Sequence, residues 1–431
     1  MAEREGFEPP IALRLCLISS QVHSTGLCHL SVQFKFTLNL GADERVRREV
    51  DGVVEWTPEL VRWLQLEALE AGFDASSVAP VPEKGSEEEK RQAARFSSWV
   101  EAGRAGEMEY LKRRGEDGVL LRSGVRAAMP WARSVIVCAL NYNADALRSV
   151  ESAPPGTGWI ARYAWSGRRL ENGETVPTDY HDELLGRLRK LEAALKERVS
   201  SETRCYVDTG PLVERSAAAQ SGLGWIGKNT CLIHQQLGSW LLLGVIVTSI
   251  PVASAAVPEL AADRCGSCTR CIDACPTQAL VAPREMDASR CIAYLTIEKK
   301  GSIVDELRTL IGRQVFGCDI CQDVCPWNRR APVGVKEGME PRPELVNPSL
   351  KWLAGLEAAE FKRSFKGSPL ERTRRKRLHR NVALAMGNSG DRNFLPQLEA
   401  WTLSEDEVLA ESAQWAIRQI LERDSDAKTE T

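Results

Sequence analysis

The spacing of apolar positions changes along the chain, and each change marks an element. After Thr57, an N-cap candidate with Pro58 in the first turn, Leu60, Leu64 and Leu69 predict a helix with one apolar face. A polar stretch around EKGSEEEK leads to a second helical region carrying Trp99 and Tyr110. SVIVCAL, from Ser134 to Leu140, is an apolar run bounded by Pro130 and Asn141, the pattern of a buried strand. Arg204 to Val207 and Trp240 to Ile250 are further strand candidates, with a charge-laced helical stretch from Asp182 to Val199. Strand, helix, strand alternation argues an α/β domain up to about residue 255. From Leu350 the pattern is almost wholly helical, with two amphipathic segments either side of GNSGD and a last helix ending near Leu421. Helix pairs of this period predict a HEAT-like repeat, and one pair cannot bury its own face, so it must pack on the domain before it. Residues 1–52 show neither period and are expected to be a poorly ordered extension.

Composition narrows the class. With 431 residues, 43% hydrophobic and 27% charged, there is apolar material for two or three compact domains. A net charge of −3 excludes a globally basic surface, so nucleic-acid contact needs a local patch. ERTRRKRLHRN, Glu371 to Asn381, is such a patch: it gathers Arg374, Arg375 and Arg377 among other basic residues, although a charge run is by default a solvated face. Trp240 to Ile250 is too short to span a bilayer, and Leu13 to Ile18 lacks the positive flank of a secretory signal.

The cysteines carry the chemistry. Eight of thirteen lie between Cys265 and Cys325. Cys265, Cys268, Cys271 and Cys275 before Pro276 follow the bacterial ferredoxin spacing, in which three thiolates hold one four-iron cluster and the fourth reaches its neighbour. Cys318, Cys321 and Cys325 before Pro326 repeat the run with Val315 in the first place, and Cys291 fills that vacancy. One [4Fe-4S] cluster then takes Cys265, Cys268, Cys271 and Cys325, and the other takes Cys275, Cys291, Cys318 and Cys321. Two Cys-Pro ends and a count of eight ligands argue against structural zinc or disulfides. Such thiols need a reducing compartment, which predicts a cytoplasmic protein.

YVDTGPLVERSAAAQSGLGWIGKNT, Tyr206 to Thr230, is the second informative segment. Asp208 ends a short strand, a small-residue helix follows, and Gly222, Gly224 and Gly227 allow positive φ or close approach to a bulky ligand. A carboxylate at a strand end is placed to meet a ligand, or simply to cap the next helix. Trp159, Tyr163 and Trp225 are candidates to stack on bases.

IARYA, DYHDELL, the Asp208 segment, the two cysteine runs with Cys291 between them, and RNVALAMGNSGD together resemble the epoxyqueuosine reductase family over about residues 55–421. The resemblance implies an α+β, multi-domain protein. Its parts would be an α/β cobalamin-binding, reductive-dehalogenase-like catalytic domain (53–255), a ferredoxin-like module with two [4Fe-4S] clusters (256–335) and the HEAT-like helices (336–424). It implies reduction of the epoxide of epoxyqueuosine in tRNA to queuosine, with Asp208 as proton donor, its pKa raised by burial and by the ligand. Cobalamin contacts are expected from Asp208, Gly224, Lys228 and Asn229, and tRNA contacts from Arg374, Arg375 and Arg377. An external electron donor, a monomeric state and no membrane association complete the expectation. Asp179-Tyr180-His181 opens like the D-x-H-x-x-G signature of histidine-ligated cobalamin, but Leu184 stands where glycine belongs, so His181 is read as a helix-start residue. The extra stretch from Ser166 to Pro177 reads as a surface loop. The rival readings are a ferredoxin-type carrier, which leaves the Asp208 segment without a use, and a corrinoid reductase of small molecules, which leaves the C-terminal helices without one.

Overall fold

A computed structural model describes residues 54–334 and 336–429, the last six without their side chains; the predicted N-terminal extension lies outside the described residues. Four antiparallel strands form the central sheet in the order Ala75–Pro80, Ser134–Asn141, Leu241–Thr248, Thr203–Tyr206. Alternation explains the unbroken apolar run of Ser134–Asn141. Val135 and Val137 face one core with Val245, Val247 and the helix residues Ala217 and Ala218. Ile136, Cys138 and Leu140 face the other, with Leu184, Leu188, Leu191 and Leu195. A strand covered on both faces has no polar side to show.

The helix Tyr180–Arg198 lays those four leucines on one stripe and is capped by Asp179, whose side chain accepts from the His181 amide at 2.9 Å. Pro58–Glu70 begins with Thr57 as cap, as expected, and buries Leu64 and Ala68; Leu69 is instead 55% exposed. The stretch from Ser166 to Pro177 is not a plain loop. Ser166–Arg169 and Thr175–Pro177 pair as a hairpin, and Glu340–Pro341 adds a third strand.

A third core ignores the boundaries drawn from sequence. Ile160 and Trp165 share it with Ile292, Val315 and Phe316 and with Leu378, Val382 and Ala416 of the C-terminal helices Arg374–Ser389 and Glu407–Thr429. Trp159–Ile160 pairs in parallel with Gln314–Phe316, tying the first segment to the cysteine-rich one. Arg380 and Asn381 fasten the C-terminal helix. Arg380 donates to the carbonyls of Leu295, Lys299 and Gly301, and Asn381 Nδ2 donates to those of Thr296 and Val315. No described helix is long and apolar enough to cross a membrane.

Candidate active site

Asp208 follows the strand Thr203–Tyr206 in a tight turn, with the Thr209 amide on the Val207 carbonyl at 2.6 Å and a φ of +57°. Left-handed backbone is tolerated by aspartate but costs conformational energy, and such strain gathers at functional positions. The turn projects the carboxylate into a cavity of about 1690 Å³, and its side chain remains 61% accessible there. Tyr180 Oη donates to Asp208 Oδ2 at 3.1 Å, and His181 Nε2 lies 3.8 Å from the same oxygen. The other ring nitrogen, Nδ1, is 2.6 Å from Asp179 Oδ1, and the imidazole stacks on Tyr180 at 4.0 Å. His181 therefore starts a helix, as read from sequence, and also belongs to the site.

The electrostatics of this group reverse the expectation for Asp208. The imidazole of His181, 3.8 Å away, holds the carboxyl below the usual range despite the opposing effect of burial. Burial works against a charged His181, but the hydrogen bond to Asp179 and the two nearby carboxylates, Asp179 and Asp208, outweigh it and push the imidazole up to about 9. At neutral pH the proton of the pair therefore rests on His181. Glu214, on the next helix, is pushed up to about 7 by burial, with Asp208's charge adding to it, and its Oε1 has no partner.

Two other groups reach the same cavity. Cys291 lines it with Phe316, and the ring series Phe316, Tyr163, Tyr180, at 5.9 and 5.8 Å, joins the cysteine-rich segment to His181 and Asp208. Arg372, Arg374, Arg375, Lys376 and Arg377 also line it and form a basic rim. Arg374 is exposed at a φ of +54°, while Arg375 is half-buried near Glu357 at 3.7 Å. Arg377 differs: its guanidinium donates to the carbonyls of Thr373, Glu298 and Arg372, so much of its donor capacity is spent on the fold.

The cysteines fall into two neighbourhoods. Burial raises Cys271, and the charges of Cys265 and Cys268 add to it; burial raises Cys325 to about 11, with Cys265 and Cys271 next to it. Burial likewise raises Cys318, and here the neighbours are Cys291 and Cys275. Cys321 is raised first by Cys231, which sits beside it, and also feels Cys318 and Cys291. The first neighbourhood holds the four thiols that a four-iron cluster would bind as thiolates; the second holds its four expected thiols and Cys231 as a fifth. Val315 is fully buried in the third core, so the first place of the second run is a packing position.

The glycine-rich loop serves the fold rather than the cavity. A Cβ on Gly224 would lie 2.2 Å from the Ile233 carbonyl oxygen, and Gly222, at a φ of +76°, would meet the Glu259 carbonyl oxygen at 2.4 Å. Lys228 Nζ donates to the Gly266 carbonyl at 2.7 Å and Asn229 Nδ2 to that of Cys321 at 3.3 Å. Of the four expected cofactor contacts, Asp208 is the one that lines the cavity. Trp159 and Trp225 are buried, which takes them away from any base, while Tyr163 does face the cavity. Sequence reasoning left Tyr180 out of the site and read His181 only as a helix-start residue. The DYH triplet was visible, but nothing local shows that a turn 27 residues later meets it.

A cavity acid fed by a double-cluster module defines an oxidoreductase. The 4Fe-4S double cluster binding domain matches residues 264–328, and the epoxyqueuosine reductase QueG domain matches residues 122–209. The chain is 37% identical to the epoxyqueuosine reductase of Xanthomonas campestris, over 82% of this chain and 94% of that one, and 35% identical to that of Escherichia coli, over 85% and 90%. Among solved structures, an epoxyqueuosine reductase with an epoxyqueuosine-modified tRNA-Tyr stem loop aligns with a TM-score of 0.70 at 32% identity, covering 84% of this chain and 90% of that one. The Bacillus subtilis enzyme with its catalytic aspartate loop swung out aligns at 0.69 and 31%, with the same coverage. The chain belongs to the epoxyqueuosine reductase family.

Removing the imidazole tests the proton assignment. His181→Gln is expected to lower turnover at neutral pH by roughly two orders of magnitude, the lower end of general acid catalysis. In the parent enzyme, activity that needs the shared proton persists below about pH 9 and falls as pH rises through it. A pH–rate profile of the Gln variant that kept this alkaline limb would assign the proton elsewhere.

Proposed function

We propose that this protein reduces the epoxide of epoxyqueuosine in tRNA to the alkene of queuosine, using cobalamin and two [4Fe-4S] clusters. The observation that carries the reading is one shared cavity: Asp208 with His181, the cluster ligand Cys291, and the basic rim from Arg372 to Lys376 all open onto it. At about 1690 Å³ the cavity exceeds the roughly 300–1,000 Å³ of ordinary small-molecule sites, so a corrinoid and a nucleoside fit together. Its lining suits that pair, with tyrosine and phenylalanine faces for the macrocycle and one acid group for the substrate. Tyr163, Tyr180 and Phe316 would hold the corrinoid. When bound, cobalamin supplies electron density to the epoxide carbon, drawing on the clusters.

The chain's own part is protonation and positioning. Opening the epoxide and losing its oxygen as water takes two electrons and two protons. Asp208 faces the substrate side of the cavity, and we assign it the transfer to the leaving oxygen. His181 holds the first proton in reserve and passes it to Asp208, solvent reaching the accessible carboxylate supplies the second, and Asp179 fixes the imidazole's orientation from behind. Tyr180 steadies the carboxylate through its hydroxyl. The C-terminal helices, which we read as a HEAT-like cap, present the basic rim to the anticodon stem loop.

Anaerobic turnover of epoxyqueuosine-containing tRNA, with cobalamin and a low-potential reductant, tests the function by mass spectrometry of digested tRNA. Product is expected only when both are supplied. Activity on a small halogenated substrate but not on tRNA would overturn the reading. For the rim, Arg374→Ala with Arg375→Ala is expected to weaken tRNA binding and to flatten the slope of log K against log salt by roughly 1.5–2, each lost phosphate contact releasing fewer counterions. An unchanged slope would put the tRNA surface elsewhere.

A further inference from the structure

Trp225 carries an unspent donor. Its side chain is 4% exposed, and its indole Nε1 has no hydrogen-bond partner. An indole N–H can only donate, and a buried donor left unpaired is costly. Trp225 packs with Ile233 and Cys325 and against Cys265 and Trp327, so two cysteines of one predicted ligand set lie in its immediate surroundings. Its position is enforced. Trp225 pairs with Ile233 in a short antiparallel ladder, and Gly224 before it approaches the Ile233 carbonyl too closely for any side chain. The Trp327 ring forms a T-shaped pair with it, centroids 5.0 Å apart, and its π face is the competing acceptor.

We propose that the Trp225 indole N–H donates a hydrogen bond to a sulfur of the cluster held by Cys265, Cys268, Cys271 and Cys325, and thereby raises that cluster's reduction potential. The proposal rests on the ligand sets assigned above. A reduced cluster carries one more negative charge on its sulfurs, so a donor in a water-poor pocket stabilises the reduced form more than the oxidised one. The other neighbourhood has a backbone counterpart: the Ala279 amide donates to Cys275 Sγ at 3.3 Å. Trp225 would therefore set the potential difference between the two clusters, and with it the direction in which electrons run toward the cavity.

The test is a redox titration of the full-length protein, purified anaerobically, followed by electron paramagnetic resonance. Trp225→Phe is expected to keep two full clusters and to move one midpoint potential to a more negative value, leaving the other in place. Two unchanged midpoints would overturn the proposal. If the Phe variant loses its cluster, parent protein labelled with indole ¹⁵N decides the matter. A nitrogen coupling to one reduced cluster, persisting in Trp327→Phe, is expected, and its absence refutes the hydrogen bond. Parent protein holding fewer than two full clusters would instead defeat the ligand sets themselves, and this proposal with them.

Discussion

Asp208→Asn is expected to lower turnover of epoxyqueuosine-containing tRNA by roughly two to four orders of magnitude, the usual worth of general acid catalysis, while both clusters survive. The substitution suits the site. Asparagine is among the residues that accept a φ of +57°, and its side-chain oxygen can still receive the Tyr180 hydroxyl. What it removes is the charge. Without the carboxylate, His181 loses one of the two partners that hold its proton, so its pKa falls and the reserve is held by Asp179 alone. Asp208→Asn thus strikes both the transfer group and its supply, and its loss of rate should exceed that of His181→Gln. Mass spectrometry of digested tRNA reads the rate, and iron content reads the clusters. Near-normal turnover would reduce Asp208 to a turn residue and point to Glu214, whose carboxyl titrates near neutrality, as the acid.

Cys291→Ala is expected to leave about one cluster per chain and no turnover with external reductant. Cys291 belongs to the neighbourhood of Cys275 and Cys318 and is the predicted ligand that also lines the Asp208 cavity. Its loss removes the end of the electron path nearest the substrate. Val315 offers no remedy, because the core closes around it. The discriminating variant is Cys268→Ala, which strikes the other neighbourhood. It is expected to leave one cluster too, with a different spectrum. A Cys291 variant that keeps two full clusters would mark Cys231, half-buried beside Cys321, as a replacement ligand.

Much of the site follows from local rules that hold wherever the segment ends up. The cysteine spacing fits cubane ligation whatever surrounds it, and the double-cluster domain matches the same stretch, residues 264–328. The strand Ser134–Asn141 and the helix Tyr180–Arg198 are legible because burial on two faces, or on one stripe, imposes a periodic pattern on the sequence. Asp208 could be picked out as a strand-end carboxylate, but whether it caps a helix or meets a ligand turns on a long-range meeting. Only the tertiary structure brings His181 to Asp208, and that contact lowers the carboxyl where burial alone would have raised it. The same is true of the arginines. Arg374 and Arg377 look alike in a run of charges, yet Arg377 is turned onto carbonyls of Glu298, Thr373 and Arg372 while Arg374 stands exposed at the rim. Glycines 222 and 224 looked like room for a ligand and proved to be room for the chain's own carbonyls. Period and spacing are properties of neighbours in sequence, so the chain alone determined its elements and the double-cluster segment. Protonation state, accessibility and the choice of contact partner depend on groups far apart in sequence, and these only the packed structure decided.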